Sequence, residues 1–320
     1  MIARQTLPTN LQNRRFHVVL GKGGVGRSTV SRILALHFAE QGYRTLLCEV
    51  DESEQLSIFF GVRPSKGEQI VLDPSLPSLK GVNLRLEEAL KEYGTLKLKF
   101  KSLGSRFADH ALTRALVALV PGSSDLIAFG KAFHHERERV SRLQGGGLRW
   151  DRVIVDAPAT GHGLTFLQLP RVIMEMVPTG NLFEESRGMW NLISDTSRSA
   201  LHLVTTAEPL PISETEEYAF AIQKQGLEIA ALWVNKMNTL ALDKQFLKMF
   251  TQWSESLSGQ ESMHTLSKLV EWSQDEISSK QILLSQLNHL TAPRIYVPQL
   301  IELTPDRLKD VAVLLSPESK

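Results

Sequence analysis

Short apolar runs alternate with amphipathic stretches along this chain. Phe16–Leu20 is β-branched and aromatic and stops abruptly at the glycine-rich string GKGGVGRST, the pattern of a buried parallel strand entering a loop. Beyond the loop, Val30, Ile33, Leu34 and Phe38 recur at three- and four-residue spacing. That spacing predicts a helix, with Gly42 just past its last turn where a left-handed cap is wanted. Further strands are predicted at Thr45–Val50, Arg152–Val155, Leu201–Thr205, Ala230–Val234 and Arg294–Val297, with helical stretches between them. Alternation of this kind predicts an α/β fold in three layers, a mostly parallel sheet flanked by helices, with ligands at the carboxyl ends of the strands. Asp51 and Asp156 stand at two such ends.

The whole of 1–320 reads as one domain. Residues 62–148 are expected to form a helical insertion, with helix-like segments at Leu86–Leu103 and Asp109–Val120. Another helical segment is expected at about 240–290, where Phe246, Met249, Phe250 and Trp253 share a helical spacing. No internal repeat is visible and the glycine-rich loop occurs once, so a second site of the same kind requires a second chain.

Composition narrows the classes. With 42% hydrophobic residues the chain can bury a large core, so disorder is not expected. Its 36 basic and 35 acidic residues give a formal charge of +1, which provides no global field to draw it onto nucleic acid or an anionic membrane. Cys48 is the only cysteine, so neither an intrachain disulfide nor a Cys-pair metal site can form, and a cytoplasmic protein is expected. No stretch approaches the ~18 consecutive apolar residues of a membrane span.

The loop is the strongest chemical signal. Gly21, Gly23, Gly24, Val25 and Gly26 can turn backbone N–H groups inward around phosphate oxygens, while the following helix offers its positive end to the same anion. Ser28 stands where a hydroxyl would bind Mg2+, and Thr29 where one would contact the first phosphate. The phosphate-loop pattern GxxxxGK(S/T) calls for lysine where this chain has Arg27. A guanidinium keeps the charge but has a wider plane than an ammonium, so binding is expected to survive better than turnover. Lys22, directly after the first loop glycine, marks the deviant subclass of such loops.

Three separated motifs together resemble the ArsA family of ATPases, which includes arsenite-pump ATPases and the ATPase that delivers tail-anchored membrane proteins. Besides the loop, VDESEQLSIFFG (Val50–Gly61) is similar to that family's first switch, and DAPATGHGLTFLQLP (Asp156–Pro170) to its second. PGSSDLIAFGK (Pro121–Lys131), VNKM (Val234–Met237) and VPQL (Val297–Leu300) extend the resemblance over nearly the whole chain. The resemblance implies ATP and ADP as ligands with Mg2+. It implies that Asp51 positions the attacking water and belongs with Ser28 and Asp156 to the metal site. It also implies that Lys22 reaches across a homodimer to the partner's nucleotide, and that Asn235 and Pro298 border the adenine. For Asn235, a polar residue that merely ends a strand is the alternative.

Departures from the family pattern limit what can be carried over. With Cys48 alone, neither a zinc clip between subunits nor a cysteine arsenite site can be built. Glu52, Ser53 and Glu54 replace the usual Pro, Ala and His beside the catalytic aspartate. Leu86, Leu90, Tyr93, Leu96, Leu98, Phe100, Leu103 and Phe107 suit either a groove for a hydrophobic protein client or ordinary packing onto the sheet. His162 reads as a residue at a helix N-terminus. The expected function is a dimeric Mg-ATPase switch; the alternative is a nucleotide-sensing scaffold that barely hydrolyses because of Arg27.

Overall fold

The computed structural model describes residues 5–50, 53–84, 123–141, 145–158, 163–237 and 261–316. Its strands are β1 (Phe16–Leu20), β2 (Thr45–Glu49), β3 (Ile70–Val71), β4 (Leu79–Asn83), β5 (Arg152–Asp156), β6 (Ser199–Thr206), β7 (Ile229–Met237) and β8 (Arg294–Pro298). The helices are α1 (Thr9–Gln12), α2 (Arg27–Glu40), α3 (Gln55–Phe60), α4 (Ser123–Arg137), α5 (Gly163–Met176), α6 (Asn181–Ser194), α7 (Pro209–Lys224), α8 (Glu261–Ser285) and α9 (Pro305–Leu314).

The strands form one sheet in the order β3-β4-β2-β5-β1-β6-β7-β8, parallel throughout except for the β3–β4 edge pair. The predicted α/β architecture is therefore present. β1 lies near the middle, with β5 on one side and β6 on the other. The chain builds one half of the sheet from β2 to β5 and then crosses to the other, so the carboxyl end of β1 sits where such folds open a crevice.

The central strands feed two cores, which explains why they read as apolar runs. Phe16, Val18 and Leu20 of β1 pack on one face with Phe129 of α4, Phe166 of α5, Leu192 of α6 and Ile222 of α7. Val19 packs on the other face with Ile33, Leu34 and Phe38 of α2 and with Leu308 and Ala312 of α9.

The expected helical insertion begins with sheet. Residues 70–71 and 79–83 are β3 and β4, and β4 pairs along the whole of β2. LKGVN carries a lysine and a glycine and so lacks the apolar run that marks the other strands. The glycine has a packing reason, because a Cβ on Gly81 would come within 2.7 Å of Leu56 and Leu72 side-chain atoms. The helix-like segments expected at Leu86–Leu103 and Asp109–Val120, and Phe246 to Trp253, lie outside the described residues. Within the second expected helical segment, Glu261–Ser285 is helix, continued by a 3-10 turn at Gln286–His289.

Three adjacent strands share a polar chain inside the second core. Trp233 Nε1 donates to His202 Nδ1 at 2.9 Å, His202 Nε2 meets His17 Nδ1 at 2.9 Å, and His17 Nε2 meets the Arg14 carbonyl at 2.9 Å. An indole only donates and a carbonyl only accepts, so one tautomer arrangement satisfies all three bonds, with both imidazoles neutral. Burial pushes His17 down to about 3 and holds His202 well below the ordinary histidine value.

In the unfolded chain these imidazoles take up protons from about pH 6.5 downward, whereas in the fold they stay neutral to far lower pH. Stability is therefore fully present above about pH 6.5 and declines as pH falls toward the folded values. Urea unfolding is expected to show a loss on the order of 2–4 kcal/mol between pH 7 and pH 5. A flat profile over that interval would contradict the neutral chain.

Candidate functional site

The loop between β1 and α2 is shaped by three glycines with positive φ, Gly21 at 156°, Gly24 at 81° and Gly26 at 90°. Gly26 is the N-cap of α2, and its carbonyl accepts from Val30 N at 3.1 Å. The first turn of α2 holds no acidic residue, which leaves the positive end of the helix available to an anion. Val25 is buried in the core and anchors the loop from beneath.

Two side chains from the end of β7 hold the same loop from outside. Asn235 Nδ2 donates to the Val25 carbonyl at 2.9 Å, and Lys236 Nζ donates to the Gly24 carbonyl at 3.0 Å. The contact is close: a Cβ on Gly26 would fall 2.0 Å from Asn235 Nδ2. Gly26 is thus required twice, by its backbone conformation and by its neighbour.

Asp156, the last residue of β5, is buried beneath the loop. Burial raises its pKa, while the Ser28 hydroxyl, the charges of Arg27 and Arg32, and the Ser31 hydroxyl oppose that shift. Its Oδ1 is buried with no hydrogen-bond partner. An orphaned carboxylate oxygen beside a hydroxyl at the mouth of an anion site is a fitting place for a hydrated cation. Ser28 and Asp156, two of the expected metal residues, are thereby brought together. Asp51 lies outside the described residues; Val50 N donates to the Asp156 carbonyl at 3.3 Å, so the chain leaves β2 alongside Asp156.

Arg27 points into the molecule. Its buried Nη1 donates to the Ala157 carbonyl at 2.6 Å and to the Pro158 carbonyl. The residue replacing the loop lysine therefore ties α2 to the segment following Asp156. Burial lowers its pKa, but a guanidinium keeps its proton regardless. Lys22 is half-buried with Nζ 3.7 Å from Glu214 Oε1 and 5.5 Å from the centre of the Tyr218 ring, both on α7 of its own chain. Thr29 lies partly buried in the first turn of α2. Pro298 ends β8 opposite Met237, so it and Asn235 stand at neighbouring strand ends. His162 and the residues Leu86 to Phe107 lie outside the described residues.

Four residues join the site that sequence reasoning did not single out in these roles. Glu49 accepts from Leu56 N at 2.8 Å and from Asn83 Nδ2 at 3.2 Å, which holds α3 to the end of β2. Arg32 lies 3.6 Å from Glu49 Oε1 and stacks 4.2 Å from the centre of the Phe59 ring. Glu54, in the left-handed region at φ 55°, accepts from Ser57 Oγ and from the Ser65 and Lys66 amides. That clamp explains why the segment after Asp51 tolerates glutamate where the resemblance led one to expect histidine. Lys236 is the fourth. A charged residue at the end of a buried strand was the available signal for Glu49, and the VNKM string for Lys236.

A family model described as anion-transporting ATPase matches residues 14–184 and 174–259. The ATPase BagA of Mycobacterium tuberculosis is 29% identical over 243 residues, covering 75% of this chain and 70% of that protein. The ATPase GET3 of Kluyveromyces lactis is 32% identical over 171 residues, 51% of this chain and 47% of its own length. An ATPase ASNA1 homolog of Paramecium tetraurelia is 30% identical over 174 residues, 52% of this chain and 48% of that protein. The chain thus spans about half the length of the latter two relatives. Among the described residues, no helix is long and apolar enough to cross a membrane.

Gly26→Ala is expected to weaken ATP binding at least about tenfold, since a methyl group must displace Asn235 and occupy a left-handed backbone. Calorimetric titration beside a melting curve checks this, and unchanged affinity in the folded variant would contradict the loop geometry.

Proposed function

The chain belongs to the ArsA family of anion-transporting ATPases, and from that premise we propose that it is a homodimeric Mg-ATP switch that couples nucleotide state to the handling of a protein client. Nucleotide binding and ATP hydrolysis follow from membership. The observation that carries the metal-dependent reading is the convergence of the loop, the Ser28 hydroxyl and the orphaned Asp156 Oδ1. Ser28 and Asp156 would hold Mg2+, which would supply positive charge to the phosphates. On this reading the loop amides and the Thr29 hydroxyl bind the phosphates, and Asp51 orients the attacking water.

Dimerisation rests on two features of the chain. There is one phosphate loop, and Lys22 follows its first glycine. A lysine held by Glu214 and Tyr218 through a partly exposed contact can leave it at little cost, because such pairs contribute little in water. Closure of two subunits would let each Lys22 reach the other's nucleotide. A hydrophobic client is compatible with the apolar residues of the 86–107 segment, as is packing onto the sheet, and a cytoplasmic location fits the absence of cysteine pairs. The formal charge of +1 gives no global field that would favour nucleic acid as a partner.

Arg27 favours a second element, slow turnover. Its guanidinium bonds two carbonyls of the segment after Asp156, so contact with phosphate requires either a shared geometry or their release. A compact ammonium would not span both.

Steady-state hydrolysis and light scattering test the proposal together. The wild type is expected to hydrolyse ATP slowly and only with Mg2+, and Asp51→Asn to abolish turnover while accumulating an ATP-dependent dimer. Arg27→Lys is expected to raise kcat about tenfold, equivalent to ~1.4 kcal/mol of barrier. A monomer in every nucleotide state would rule out the dimeric switch. An unchanged rate in Arg27→Lys would remove the assigned cause of slow turnover.

A further inference from the structure

Asn235 and Lys236 are consecutive residues, and their side chains bond consecutive carbonyls of the phosphate loop, Val25 and Gly24. In a regular strand, neighbouring side chains point to opposite faces, so two successive residues cannot both reach one loop. Lys236 escapes that rule because its φ is 56°, one of three positive values among the described non-glycine residues. The pairing of β7 with β8 shifts register between Val234 and Met237, at the same place. A left-handed backbone is unfavourable for a lysine. Here the cost coincides with a contact that no ordinary strand end would supply.

The contact has a direct consequence for the loop. A peptide group is planar, so donors that hold its carbonyl on the outside turn the following N–H toward the inside. Asn235 is buried, its amide nitrogen is identified by the carbonyl it faces, and the missing Cβ of Gly26 leaves the space it needs. We propose that Asn235 and Lys236 are positioning residues that pre-shape the phosphate loop for polyphosphate, whatever base the ligand carries. This rests on the reading of the loop as a phosphate site. It departs from the expectation that Asn235 serves the adenine.

Titration calorimetry with Mg-ATP and with Mg-tripolyphosphate, which has no base or sugar, separates the two roles. In Asn235→Ala and in Lys236→Met, both ligands are expected to bind about tenfold more weakly and by the same factor. Lys236→Arg is expected to restore most of the loss, since a guanidinium also donates to the Gly24 carbonyl. Amide hydrogen exchange at residues 21–26 of the ligand-free protein is expected to quicken in the two weakened variants, a readout independent of any ligand. Weaker ATP binding with unchanged tripolyphosphate binding and unchanged exchange would overturn the proposal in favour of base recognition. Unchanged binding of both ligands would overturn it as well. If the folded wild type bound neither ligand, the phosphate reading itself would fail, and this inference with it.

Discussion

A short turn of main chain has its carbonyls held by the end of β7, and the rest of the molecule is arranged to keep it in that shape. Left alone, a glycine-rich loop has many conformations and would lose entropy each time it closed on a ligand. Here it hangs from β1, which is covered on both faces, and runs into α2, whose apolar side is buried against the sheet and α9. Val25 fixes its underside and the end of β7 grips its carbonyls. The ordering that phosphate would otherwise impose has been met in large part by folding.

Charge is the second constraint. Asp156 lies below the loop with Arg27, Arg32 and Ser28 around it, in a place where burial alone would favour its neutral form. Its Oδ1 has no hydrogen-bond partner, and the two arginines have other contacts. Arg27 is spent on the carbonyls after Asp156, and Arg32 on Glu49 and the Phe59 ring. Both of the segments that resemble nucleotide switches are therefore tied to α2 by arginine.

Much of this was legible in the chain. The strands that bury both faces announce themselves as apolar runs, and Phe16–Leu20 matches its observed bounds. The loop glycines were read from their spacing and Asp156 from its strand end, while a metal site shared with Ser28 was what the family resemblance implied. β4 was missed because Lys80 and Gly81 interrupt its hydrophobic run, and the reason for the glycine is the approach of Leu56 and Leu72, which only three dimensions reveal. The grip of Asn235 and Lys236 depends on a left-handed backbone at a lysine, for which residue type gives no warning. The staple made by Arg27 was hidden for another reason, since sequence tells which charge stands in the loop but not which way it turns.

The central claim is that this loop and Asp156 form one site for a metal-bound polyphosphate. The most direct measurement is the affinity of wild type and Asp156→Ala for ATP, titrated with Mg2+ and again with chelator. The account predicts binding that Mg2+ strengthens about tenfold or more in the wild type, with no gain from the metal once the carboxylate is gone. Equal affinity in all four titrations, or no heat with ATP in the folded wild type, would contradict it.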